Sequence, residues 1–419
     1  MNKFFKKLLI PLCCLSLTSC VMTPSGNNQN SNDENQSKSN SSDESVAESQ
    51  VGIESESIKA EYSELLPYDH FDLNTYMKPI WLGDTIYNET LVFVGQDDFG
   101  KLLYPAEEII SVTSYDLKTV YQEDVDYVYD KETNSILLTN KTSMPFFYKA
   151  GYYPQTGTYH SYSQDRGLFF SEGATFSNKH VAVTYRTTKD DRLTSPDDNS
   201  AKYSNLLNKL EKGEDVKICF FGDSITVGGN GSGFLGIEPN MPGFDTLVTE
   251  SLKQIYNNPN VSFTNHAQGG ENSLWGYNNV YFVTDENPDL AILCWGMNDI
   301  GLSWLKFKQH LKWQIDEIQK ACPNTAILLV SSMLPNGDVK EFNMANDYEN
   351  CKFLLLEQAQ IELADEYGLG LAKVTTMHKE ILRYKNYYSM TGNNINHPTD
   401  FIIRVYAQNI LYALTGKTL

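Results

Sequence analysis

Val216-Lys217-Ile218-Cys219-Phe220-Phe221-Gly222-Asp223-Ser224-Ile225 is the stretch that decides how this 419-residue chain folds. A short, mostly apolar run passes directly into a glycine and a small nucleophile, the pattern of a buried strand ending in a tight turn. The turn sets Ser224 at the carboxyl end of its strand, the edge at which open α/β sheets bind ligands. The same rhythm continues downstream, with strands expected at 216–221, 261–265, 289–295, 326–331 and 369–374. Helices are expected at 243–257, 304–321, 346–367 and 399–415. Near-continuous apolar strands alternating with helices predict an α/β domain, its parallel sheet covered on both faces.

Upstream the pattern changes. Between Glu61 and Arg192 the chain is rich in Tyr, Phe, Val and Thr, in short runs broken by Gly, Pro, Asp and Asn. Runs at 91–94, 109–112, 126–129, 135–139 and 181–185 read as strands, with no amphipathic helix among them. Many short strands with turn signals predict an all-β sandwich, jelly-roll-like in character. The expected organisation is a leader over 1–19, a tether over 20–60, the β-sandwich over 61–192, a linker over 193–203 and the α/β domain over 204–419.

Three further blocks follow the serine turn. Asn265-His266-Ala267-Gln268-Gly269-Gly270 comes straight after a strand, and Gly296-Met297-Asn298-Asp299 after another. Asn394-Ile395-Asn396-His397-Pro398 precedes the last helix. Each falls where a parallel strand ends or a helix begins, so all can meet on one edge of the sheet. Residues from about 215 to 419 thereby resemble the SGNH, or GDSL, hydrolase superfamily. The resemblance implies a nucleophile at Ser224, a base at His397, and oxyanion donors at Gly270 and Asn298. A β domain ahead of the catalytic domain is similar to the arrangement in carbohydrate esterase family 2, and the 269–276 stretch is similar to what glycan-directed members carry. The chemistry fits: a serine hydroxyl needs a base to take its proton, and histidine does so near neutral pH. Backbone N–H groups of Ser224 and Gly270 and the Asn298 amide can donate to a tetrahedral oxyanion. Glycine at 270 leaves no Cβ to block the substrate.

One position departs from the superfamily. An aspartate usually stands three residues before the histidine, and here that residue is Asn394. A neutral amide can accept the imidazole Nδ1–H but cannot stabilise the imidazolium by charge. The expectation is a Ser224–His397 dyad, as in some members of carbohydrate esterase family 2, with Asn394 as an orienting candidate. Asn394→Asp is then expected to preserve or raise the rate. The competing reading is a dead enzyme that kept its fold. Asp223 is a second orienting candidate, although such an aspartate more often ties the turn. Asp400 is expected to point away.

Trp275 is either a sugar-stacking platform or a core residue. Trp304 and Trp313 share one helix and belong to core or interface. The 156–176 stretch either covers the cleft or seals the domain interface. Gly228 to Gly233 lacks the Lys-Ser/Thr ending of a phosphate cradle and reads as flexible chain beside the site. None of the other six histidines occupies a base position.

At the start of the chain, Lys3, Lys6 and Lys7 precede an apolar stretch, Leu8 to Leu17, too short to span a bilayer. Leu17-Thr18-Ser19-Cys20 resembles a lipobox, which implies cleavage before Cys20 and its acylation, and hence a lipid-anchored extracytoplasmic protein. An ordinary secretory leader is the alternative. The polar stretch to residue 60 cannot bury enough surface to fold and reads as a solvated tether. The formal net charge of −20 disfavours nucleic acid as a partner. Cys219 and Cys294 sit inside apolar strands, Cys322 and Cys351 are candidates for a disulfide, and no pair has metal-ligand spacing. No metal and no organic cofactor are expected.

The implied function is hydrolysis of short acyl esters, acetyl above all, on an oligosaccharide or polysaccharide. A lipase, lysophospholipase or thioesterase of the same superfamily is the alternative within enzymes. A non-catalytic glycan-binding lipoprotein is the alternative outside them.

Overall fold

The computed structural model describes residues 72–419 apart from 155–160, 163–165, 189 and 345–346. The leader, Cys20 and the tether lie outside the described residues, as do His70 and His160.

Val216–Gly222 lies inside a five-stranded parallel sheet. It is flanked by Val261–Asn265 on one side and by Leu290–Cys294, Ala326–Val330 and Gly370–Ala372 in turn on the other. This is the flavodoxin-like strand order, and its switch point opens beside the strand that delivers Ser224. All five residues of Leu290–Cys294 are buried, which is why that run is apolar without alternation. Gly222 pairs in register with Cys294, so the turns after those two strands leave the sheet at the same level.

Helices Phe244–Tyr256, Trp304–Ala321, Phe353–Tyr367 and Asp400–Thr415 flank the sheet. Phe244 and Tyr406 stack with ring centroids 5.3 Å apart and join the first of these helices to the last. The third begins at Phe353 rather than near 346. The Asp347 carboxylate accepts from the backbone and side-chain amides of Asn350, a local turn that competes with helix. Helices Ser204–Glu211 and Val374–Leu382 were not expected from the pattern.

Antiparallel sheets make up the N-terminal region. One has the order Thr85–Leu91, Val181–Arg186, Glu108–Ser114, Val120–Tyr121. A second joins Phe99–Lys101, Ser135–Leu138 and Tyr127–Asp130. The strand expected over 91–94 ends at Leu91. Beyond it, Val94 donates its N–H to Asp98 and bridges to Phe147. Short helical turns at Leu73–Tyr76, Lys149–Tyr152 and Ala174–Ser177 interrupt the strands.

The β region and the α/β part belong to one compact unit. Glu89 and Lys385 form an ion pair with no exposed side-chain surface. The Glu89 carboxylate also accepts from the Leu103 N–H and the Tyr185 hydroxyl. Arg404 donates to the carbonyl oxygens of Tyr87 and Asn88, and Thr90 donates to that of Ser389. Residues 193–203 run along the α/β part, where the buried Tyr203 hydroxyl donates to the Ile327 carbonyl. Among the described residues, Cys219, Cys294, Cys322 and Cys351 are all free thiols. The candidate disulfide does not form: Cys322 faces the Thr284 carbonyl and Cys351 that of Tyr348. No helix among the described residues is long and apolar enough to cross a membrane.

Candidate active site

The turn after Val216–Gly222 is built by the chain itself. Asp223 accepts from the Ile225 N–H through its side chain and from the Thr226 N–H through its carbonyl. Its neighbours are buried, while Ser224 stays partly exposed, as do Asn298 and His397. These three side chains reach solvent. Ser224 Oγ lies 2.8 Å from His397 Nε2. A hydroxyl donating to that nitrogen leaves the proton of neutral imidazole on Nδ1.

Two groups meet Nδ1. Asn230 Oδ1 is 2.5 Å away, and a carboxylate oxygen of Glu172 is 3.2 Å away. The Asn230 amide cannot flip without loss, because its Nδ2 donates to the Glu172 carbonyl oxygen at 3.0 Å. The stretch around Asn230, expected to be flexible, is a succession of hydrogen-bonded turns: Gly229 donates to the Ser224 carbonyl and Gly231 to that of Gly228. Asn230 itself has φ of 62°, a conformation asparagine tolerates. Gly229 is needed for close approach, since a Cβ there would lie 3.3 Å from His397 Nδ1 and 2.9 Å from the Ser224 carbonyl oxygen.

Asn394 does not orient the histidine. It is fully buried at φ of 71° and turned away. Its Oδ1 accepts from the Tyr152 hydroxyl at 2.9 Å and from Asn336 at 3.2 Å, and its Nδ2 donates to the Phe169 carbonyl at 2.8 Å. The residue that shapes this loop is Asn393, whose Oδ1 accepts from the backbone N–H groups of Ile395, Asn396 and His397. Asn230, Glu172 and Asn393 were all missed from sequence. Asn230 was hidden in the glycine-rich run, and Glu172 in a region with no visible link to the base.

The oxyanion side is assembled by two loops. Gly269 lies against Ser224, a Cβ on it falling 3.9 Å from the serine Cβ. Gly270 has φ of 79° with open space around its missing Cβ, so backbone conformation rather than clearance requires glycine. Asn298 Nδ2 donates to the Glu271 carbonyl at 2.8 Å. Asp299, fully buried, accepts from Ser273 N and Oγ and fastens the Asn298 turn to the Gly270 loop. Each amide N–H that points into the site is a donor for developing negative charge.

Burial pushes the Asp223 carboxyl up to about 7, against the Ile225 N–H and with the Asp299 charge adding to the rise. Burial likewise raises Asp299 to about 6 despite its bonds from Ser273. Asp223 ties the turn and makes no bond to His397, so of the two readings the structural one holds. Asp400 accepts from the Ser232 N–H and faces away from the base. Trp275 is partly buried and packs on Phe221, Phe282 and Trp295 at the edge of the core. Burial drives His180 down to about 4 and His378 to about 3, and His266 pairs with Glu286 and stacks on Phe282. Of the 156–176 stretch, the described residues Phe169 and Glu172 reach the histidine loop. Among the described residues, no group of three His, Cys, Asp or Glu side chains is placed to hold a metal ion.

No curated protein matches the chain. Among solved structures it is similar to a two-domain esterase (CEX) active on acetylated mannans, co-crystallised with mannopentaose. That likeness has 22% identity and a TM-score of 0.40 over 51% of this chain and 53% of that one, so the chain spans about half the length of that neighbour. A catalytic mutant of Axe2, an acetylxylan esterase from Geobacillus stearothermophilus, matches at 16% identity and a TM-score of 0.39, covering 48% of this chain and 94% of that one. AlinE4, an SGNH-hydrolase family esterase, matches at 22% identity and a TM-score of 0.31, covering 40% and 79%. Residues 220–401 match the GDSL-like lipase/acylhydrolase family. The domain that carries Ser224, Gly270, Asn298 and His397 is a member of that SGNH hydrolase family.

Proposed function

We propose that the chain is an extracytoplasmic serine esterase that removes short acyl groups, acetyl above all, from carbohydrate. The observation that carries the chemistry is the 2.8 Å contact between Ser224 Oγ and His397 Nε2, with Nδ1 held from the other side. As Oγ attacks the ester carbon, its proton passes to Nε2. The tetrahedral oxyanion is met by the N–H groups of Ser224 and Gly270 and the amide of Asn298. The bond to the alcohol then breaks, and the leaving oxygen takes the proton from Nε2. Water repeats the sequence on the acyl-serine, losing a proton to Nε2, and Ser224 recovers its own as carboxylic acid departs.

The substrate class is supported by the rim. Gln268, Gly269 and Gly270 are exposed beside the serine, with Glu271 and Asn272 following. A rim of amides, backbone and a carboxylate suits a hydroxyl-rich alcohol better than a long acyl chain, which needs an apolar wall. The location is supported by the charged and apolar leader, by the lipobox-like Leu17 to Cys20, and by the polar stretch that follows. In this reading Cys20 is acylated and anchors the protein to a membrane.

The test is acetate release from acetylated xylan and mannan oligosaccharides, with Ser224→Ala as control. Release by the wild type that falls by at least about 10³-fold in the variant is expected. A series of p-nitrophenyl esters from acetate to palmitate should show the rate falling with chain length. A preference for long chains would replace this reading with a lipase. Glycan binding without turnover would replace it with a non-catalytic binder.

A further inference from the structure

We propose that Glu172, carried by the N-terminal β region, is the charged partner of His397, standing in for the aspartate that the histidine loop lacks. It is a positioning residue that acts through the imidazole, and the proposal rests on the serine-hydrolase reading of the site.

The geometry separates two contributions of one residue. The Glu172 backbone carbonyl accepts from Asn230 Nδ2 and so aims Asn230 Oδ1 at Nδ1. The Glu172 carboxylate lies 3.2 Å from Nδ1 through Oε2, and its Oε1 accepts from Asn393 Nδ2 at 3.4 Å. Asn393 in turn holds the backbone of His397. Base, amide and carboxylate therefore form one closed network spanning the β region, the serine turn and the histidine loop.

Charge is what the amide cannot supply. When Nε2 takes the serine proton, the ring becomes a cation, and Asn230 offers it only a dipole. An anion within about 4–6 Å favours the protonated ring. Burial works to raise the Glu172 carboxyl, but the hydrogen bond and charge of His397, with help from Asn393, hold it below the ordinary range. It is therefore an anion whenever the enzyme turns over near neutral pH. Among the described residues, Asp223 on the serine turn also interacts with His397 by charge, and it is common to every variant below. Because the Glu172 side chain is 53% exposed, water and salt screen it, and its effect is smaller than that of a buried triad aspartate.

Glu172→Gln removes the charge and leaves both the backbone carbonyl and an acceptor oxygen in place. In the full-length protein, kcat/KM for p-nitrophenyl acetate is expected to fall about tenfold with KM little changed. The acid limb of the pH profile, which reports the free base, is expected to move down by about half to one pH unit. The loss should shrink toward 1 M NaCl, and Glu172→Asp should recover part of it. An unchanged rate and acid limb would overturn the proposal. So would a slower variant whose acid limb and salt dependence match the wild type, because that is the signature of a merely structural role. Should the wild type hydrolyse no ester, the reading of function fails, and NMR titration of His397 decides the pairing separately. A lower imidazole pKa in Glu172→Gln supports it, and an equal one overturns it.

Discussion

Asp223 sits one residue before the nucleophile, and its side chain is spent on the turn. The folded carboxyl keeps its proton up to about pH 7, whereas an unfolded chain releases it near 3.8. Between those values the folded state binds more protons, so stability present below about pH 4 is lost as pH rises through 7. Asp223→Asn mimics the neutral form and removes this dependence. The expected result is that the melting temperature of the variant, relative to wild type, rises from pH 5 to about pH 7 and levels off above it. A constant difference across that range would show that Asp223 is already ionised in the fold. The same turn shows why sequence was informative here: the bonds that shape it, from the Ile225 and Thr226 N–H groups to Asp223, run between near neighbours in the chain.

The histidine loop, Thr391 to Pro398, shows the opposite. Its motif located His397, but the role of each amide depended on partners elsewhere. Asn393 supplies three backbone hydrogen bonds to its own loop. Asn394 ties that loop to Tyr152 and Phe169 of the β region. The family pattern at 394 suggests that restoring aspartate preserves or raises the rate, and the structure reverses that expectation. A carboxylate at 394 loses the donor to the Phe169 carbonyl and places an oxygen against it. Asn394→Asp is expected to cost about 1–3 kcal/mol of stability and to lower the esterase rate. Chemical denaturation and acetate release measure the two losses. A variant as stable and as active as wild type would contradict this account of the loop.

At the scale of the whole molecule, the β region and the α/β part form one body. Its contacts with the α/β part include a fully buried ion pair, and Lys385 also donates to the carbonyl oxygens of Thr90 and Lys101. A second apolar cluster joins Phe147, Tyr152, Leu168 and Phe176 of the β region to Val339 and Ile395 beside the histidine loop. Lys385→Met leaves Glu89 buried without its cation and is expected to destabilise the protein by about 3–5 kcal/mol. The unfolding transition should stay single, because the two regions are joined through buried groups. Two separated transitions, or a loss under 1 kcal/mol, would mean that the pair does not couple them.

The sequence by itself determined the parallel sheet, its strand positions, and the placing of Ser224, Gly270 and Asn298 after strands and of His397 before the last helix. Those features come from short-range patterns: apolar runs that must be buried, and turn residues that set the chain direction beside them. It also showed that Asn394 breaks the family pattern. Only the tertiary structure decided what replaces the missing group. Asn230 and Glu172 reach His397 Nδ1 from distant parts of the chain, one in a glycine-rich turn and one in a bend of the β region. No periodicity or spacing marks such a meeting, because it is created by how two regions dock. The same docking turned Asn394 inward, and packing within the α/β part set Trp275 on Phe221, Phe282 and Trp295, since side-chain direction follows from the packing around a residue and not from the motif in which it stands.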